Sequence, residues 1–164
     1  MTRLGYSRIG ICLQKQSEYF IGATISDFYF NAPVTERIQT LYHAFKEETR
    51  EEELVAWLKR YKPEVIVGYD NHLKQWAEKA GYRIPEDVGI VHLALDDDVL
   101  DWAGIHSQRR EMGGTAIEWL VSLMRNRRFG VPKTPLSILI QGTWRTGITL
   151  GSSKGRKRAS KKRG

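Results

Sequence analysis

The stretch Gly81-Tyr82-Arg83-Ile84-Pro85-Glu86-Asp87-Val88-Gly89-Ile90-Val91 constrains the fold more than any other part of the chain. Just before it, Leu73, Trp76, Ala77 and Ala80 recur at the spacing of one helix face. Gly81 can take the left-handed conformation that ends such a helix, and Pro85 prevents the helix from resuming. The run from Val88 to Leu93 is apolar and rich in β-branched residues, which predicts a buried strand. Helix, stop, turn and buried strand make one αβ unit of an open parallel sheet.

The rest of the chain repeats that grammar. Arg8 to Leu13 predicts a first strand, and Gln16 or Ser17 opens a helix toward Tyr29, stopped by Asn31-Ala32-Pro33. Ile38, Leu41, Tyr42 and Phe45 have helical spacing, but a parallel sheet needs a strand between successive crossover helices, so 38–43 is expected to be a strand. Glu51-Glu52-Glu53 favours a helix start, Leu54, Trp57, Leu58 and Tyr61 form its apolar face, and Lys62-Pro63 ends it. A strand at 64–68 follows, with Asp70 or Asn71 as cap of the helix that runs into Gly81.

Beyond Ala103-Gly104-Ile105-His106, a long helix over 108–125 carries Met112, Ala116, Ile117, Leu120, Val121, Leu123 and Met124 on one face. Arg125, Arg127 and Arg128 oppose its dipole, and Gly130 is expected to close it. Pro132 and Pro135 introduce a last strand, 136–141. The expected fold class is α/β, a parallel sheet with helices on both faces.

At 164 residues the chain suffices for one domain, taken as 1–150, followed by a disordered tail over 151–164. That tail holds Lys154, Arg156, Lys157, Arg158, Lys161, Lys162 and Arg163 with no acid. Without those seven, 19 basic residues face 19 acidic ones, so the net charge of +7 describes the tail and not the body. The tail alone predicts weak, salt-dependent contact with DNA or RNA phosphates. Cys12 stands alone in a strand, which excludes a disulfide framework and suits a reducing compartment. No apolar run is long enough to span a bilayer and no signal-peptide core follows Met1, so no membrane contact is expected and the chain reads as cytoplasmic.

Several stretches in order resemble the effector-binding domain of lactose-repressor-type transcription regulators: Trp57 to Gly68, the Gly81–Val91 stretch, Ala103 to His106, Gly113, and Gly142-Thr143-Trp144-Arg145-Thr146-Gly147. The resemblance runs from about Arg8 to Leu150 and supports the strand at 38–43. It implies one lobe of a sensor that folds like a periplasmic sugar-binding protein, without the family's amino-terminal helix-turn-helix. It further implies a small-molecule effector, a sugar or nucleoside, DNA contact only through that absent domain, and no catalysis. The helix over 108–125 resembles an element that packs on the family's other lobe, so its apolar face predicts self-association.

Ligands of parallel α/β sheets sit beyond the carboxyl ends of the strands. Those ends are Tyr69-Asp70-Asn71, Ala94-Leu95-Asp96-Asp97 and the loop after Leu13. By the resemblance Asp70 and Asn71 fall near an acidic and amide pair that contacts effector, although Asp70 serves equally as a helix cap. The family's Gly-aromatic-Asp has become His92-Leu93-Ala94, leaving Asp96 as the first carboxylate. Trp102, Ser107 and Gln108 could stack on a sugar and hydrogen-bond its edges, while Trp102 reads equally as a half-buried loop aromatic. Neither metal nor cofactor is expected: His43, His72, His92 and His106 lack ligand spacing, and Asp96-Asp97-Asp98 reads as a solvated turn. Two other classes stay open, a polynucleotide-associated protein acting through the tail and a small α/β enzyme.

Overall fold

The computed structural model describes residues 5–14, 39–45, 51–96 and 101–151. The helix expected over 17–29, the loop that follows the first strand, Asp97, Asp98 and the basic tail lie outside the described residues. The described strands are β1 (Arg8–Gln14), β2 (Gln39–Phe45), β3 (Val65–Gly68), β4 (Gly89–Leu95), β5 (Ala103–His106) and β6 (Thr143–Arg145). The described helices are α1 (Glu51–Tyr61), α2 (Leu73–Lys79) and α3 (Arg109–Arg125). The strands form one sheet in the order β2-β1-β3-β4-β5-β6, parallel from β2 to β5 and closed at one edge by the antiparallel β6. The order jumps from β1 to β3, which puts a topological switch point beside the carboxyl end of β3.

One face of the sheet holds the main core. Leu54, Trp57 and Leu58 of α1 and Leu73 and Ala77 of α2 pack against Cys12, Ile66, Ile90 and Leu95. Gly10 makes room for this: a side chain there would meet the Trp57 ring at 2.2 Å. The other face gathers Tyr6, Val65 and Val91 with Ile9, Val67 and Leu150. Thr149 is buried and joins β4 and β5, taking the Ala103 N–H at 2.9 Å and giving its hydroxyl to the Ile90 carbonyl at 2.8 Å. At the amino ends, Glu64 accepts from the Ser7 and Arg8 backbone N–H groups and fixes the start of β1 against β3.

The Gly81 stretch folds as its composition dictates. Gly81 has φ +88, its N–H donates to the Glu78 carbonyl, and the Tyr82 N–H donates to Ala77, a Schellman closure of α2. Asp87 then grips Arg83 through its backbone and guanidinium, and β4 begins at Gly89.

Three expectations are corrected. Residues 136–141 are not a strand: the outer edge of β5 is taken by β6, so this apolar stretch has no ladder, and Leu136, Ile138 and Leu139 are exposed. Gly130 does not close α3, because Arg127 adopts the left-handed conformation first, with the Arg127 and Arg128 N–H groups donating to Met124 and Leu123. Neither Asp70 nor Asn71 is the cap of α2; that position is His72.

Candidate functional site

At the carboxyl end of β3, Gly68 pairs with His92 of β4, and on β4's other side His92 pairs with Gly104 of β5. Past His92 the β4–β5 register shifts. Such bulges re-aim side chains and free backbone groups, and here the Ala94 N–H donates to His92 Nδ1 at 3.2 Å. The imidazole is 4% exposed, with the rings of Tyr69 and Trp102 edge-on at centroid distances of 6.2 and 5.7 Å. Burial lowers the His92 pKa, while the backbone of Tyr69 and Ala94 and the carboxylates of Asp96 and Asp70 pull the other way. His92 is therefore a neutral imidazole at pH 7.

The residues singled out from sequence distribute unevenly around it. Asp70 is turned inward, its side chain 13% exposed, and Oδ1 accepts from the His72 N–H at 2.8 Å and lies 2.9 Å from His72 Nδ1. Asn71 beside it is exposed. Asp96 pairs through Oδ1 with Arg109 Nε at 2.8 Å, at the first residue of α3, while Arg145 reaches the Asp96 carbonyl. Trp102 is 5% exposed and belongs to the core, not to a half-buried loop, so its faces are not an open stacking platform. Ser107 gives both N–H and hydroxyl to the Leu95 carbonyl, and Gln108 bonds Thr143 Oγ1 at 2.9 Å from a left-handed backbone.

Trp102 thus meets the imidazole edge-on, Asp70 and Asp96 lie just past the ends of β3 and β4, and Ser107 and Gln108 build the joint from which α3 leaves the sheet. Sequence reasoning named His92 and Tyr69 without giving either a part in the site, and did not name Arg109. The signal for His92 was available, since it occupies a position where the resembled pattern has glycine. The basic residues from Lys154 to Arg163 lie outside the described residues. Among the described residues, no three His, Cys, Asp or Glu side chains gather as metal ligands, and no helix is long and apolar enough to cross a membrane.

Comparison with known proteins gives a consistent picture. Residues 1–143 match the periplasmic binding protein-like domain. A solved LacI family transcriptional regulator from Enterococcus faecium with bound ribose superposes with a TM-score of 0.73 at 16% identity, covering 92% of this chain and 59% of that one. A LacI family regulator from an Arthrobacter species gives 0.69 at 14% identity, over 92% of this chain and 59% of that one. A transcription regulator like protein from Staphylococcus haemolyticus gives 0.66 at 15%, over 92% and 55%. The chain spans a little over half the length of these structures. A search of curated proteins finds no match.

Proposed function

Because this chain belongs to the periplasmic binding protein-like domain family, we propose that it is the effector-binding part of a transcription regulator and that its ligand is a small neutral sugar or nucleoside. The observation that carries the reading is that Tyr69, Asp70, His92 and Asp96 all lie at or just past the carboxyl ends of the paired strands β3 and β4. Oxygen-rich carboxylates beside aromatic edges suit a ligand with apolar faces and hydroxyl edges. Ribose in the Enterococcus faecium structure is consistent with this class of ligand. Control of DNA would pass through a further domain, and the chain itself performs no catalysis in this reading.

Binding would act by shifting the balance between two arrangements of the lobe and α3. Asp96 is placed to transmit it, because it lies beside the imidazole and also holds the first residue of α3. The reading includes self-association, since the apolar arc of α3 needs a cover and a second copy can supply one. The test is a thermal-shift titration of the full chain with D-ribose, D-galactose, D-glucose and uridine. At least one should raise the Tm in proportion to the logarithm of its concentration. A Tm unmoved by every member of the panel at millimolar concentration contradicts the proposal.

A further inference from the structure

His92 holds one group that the fold leaves unanswered. Its Nδ1 accepts the Ala94 N–H, and a neutral imidazole that accepts at one nitrogen carries its proton on the other. That proton is then on Nε2, which is sealed from solvent and, among the described residues, meets no acceptor in hydrogen-bond geometry, the Tyr69 backbone pulling on the ring without closing a bond. A buried donor without a partner bears its full desolvation penalty and marks a missing partner. Neither nearby carboxylate supplies it: Asp70 Oδ1 is engaged by His72 and Asp96 Oδ1 by Arg109. Of the two flanking rings, Trp102 is held in the core, whereas Tyr69 is 38% exposed.

We propose that His92 Nε2–H is a specificity-determining donor of the crevice, meeting a hydroxyl or ring oxygen of a neutral polyhydroxylated ligand once the Tyr69 ring swings aside. The chemistry selects that class. An ammonium cannot accept a hydrogen bond, and an anion would be opposed by the Asp70 carboxylate, Asp96 being paired with Arg109. A hydroxyl satisfies both sides, accepting from Nε2–H and donating to a carboxylate. The inference rests on the reading of this strand end as the effector pocket, and it names the group that chooses the effector.

The experiment uses the full chain labelled with nitrogen-15 in its histidines. Long-range imidazole spectra of the free protein should show His92 as the neutral tautomer protonated at Nε2; the Nδ1-protonated tautomer overturns the proposal outright. The panel of D-ribose, D-galactose, D-glucose and uridine is then titrated by calorimetry into the wild type, His92→Phe and His92→Asn. The expected result is a ligand that moves the His92 Nε2 resonance and binds His92→Phe about tenfold more weakly, the worth of one hydrogen bond in a dry site. His92→Asn, which keeps a donor, should recover part of the loss. Equal binding by His92→Phe with no movement of the His92 resonance overturns the donor role and leaves the pocket reading standing. A wild-type chain that binds no member of the panel overturns both. The wild-type spectra decide the matter even if a variant fails to fold.

Discussion

A methyl group at Gly104 would sit 2.1 Å from the His92 carbonyl oxygen, closer than real contacts allow, so β4 and β5 approach only because that residue has no side chain. Gly104→Ala should destabilise the fold by about 1–3 kcal/mol, read as a lower urea midpoint, and should disturb the His92 resonances first. His92 itself gives a pH prediction. Its folded pKa lies below the usual value near 6.5 because burial disfavours the charged form. As the pH falls below about 6.5 the unfolded chain takes up a proton that the folded chain refuses, so stability is lost over that interval and is flat above it. Urea midpoints at pH 7.5 and 5.5 should therefore differ, with the acid sample weaker, and His92→Gln should flatten the difference. The scattered spacing of the histidines concealed this residue, because spacing tests for metal ligands and says nothing of a lone buried imidazole. Its neutral, unpartnered state depends on a register shift in β4 that no local pattern announces.

The αβ units were legible wherever a stop residue and a periodic face coincide. Gly81 and the Leu73, Trp76, Ala77 face specified α2, whose start falls two residues later than read from the chain, and the acidic start with Lys62-Pro63 specified α1 to within about a residue. The stretch 39–45 shows the competing case, where sheet topology overrides helical spacing. Residues 136–141 show the reverse, a strand composition left without a ladder because β6 occupies the only edge β5 offers. α3 obeys its local signals and yet buries none of its residues. Trp119, Met112, Leu120, Met124, Ile117 and Val121 are all exposed, and at 3.6 residues per turn they sweep roughly 200° of the helix. Each large aliphatic left in water forgoes roughly 1.5–3 kcal/mol of burial. The chain alone should accordingly sediment above its monomer mass, and Leu120→Glu should return it toward monomer. A well-behaved wild-type monomer at tens of micromolar would contradict that expectation.

For the molecule as a whole, the parallel sheet and the family follow from patterns spread over the whole body, which is why they were readable without coordinates, whereas the strand order and its switch point came only with the structure. The grouping around His92 was not, since Tyr69, His92, Asp96 and Trp102 come from three chain segments joined only by strand register. The central claim is that small-molecule binding occurs at the carboxyl ends of β3 and β4 and is passed to α3 through Asp96. Backbone amide chemical shifts of the full chain, recorded with and without a saturating member of the sugar and nucleoside panel, test it most directly. The account predicts that the largest changes fall at 69–72, 92–96 and 102–109, with smaller ones running into α3. Changes centred instead on the amino ends of the strands, around Glu64 and Asp87, or no change with any ligand, would contradict it.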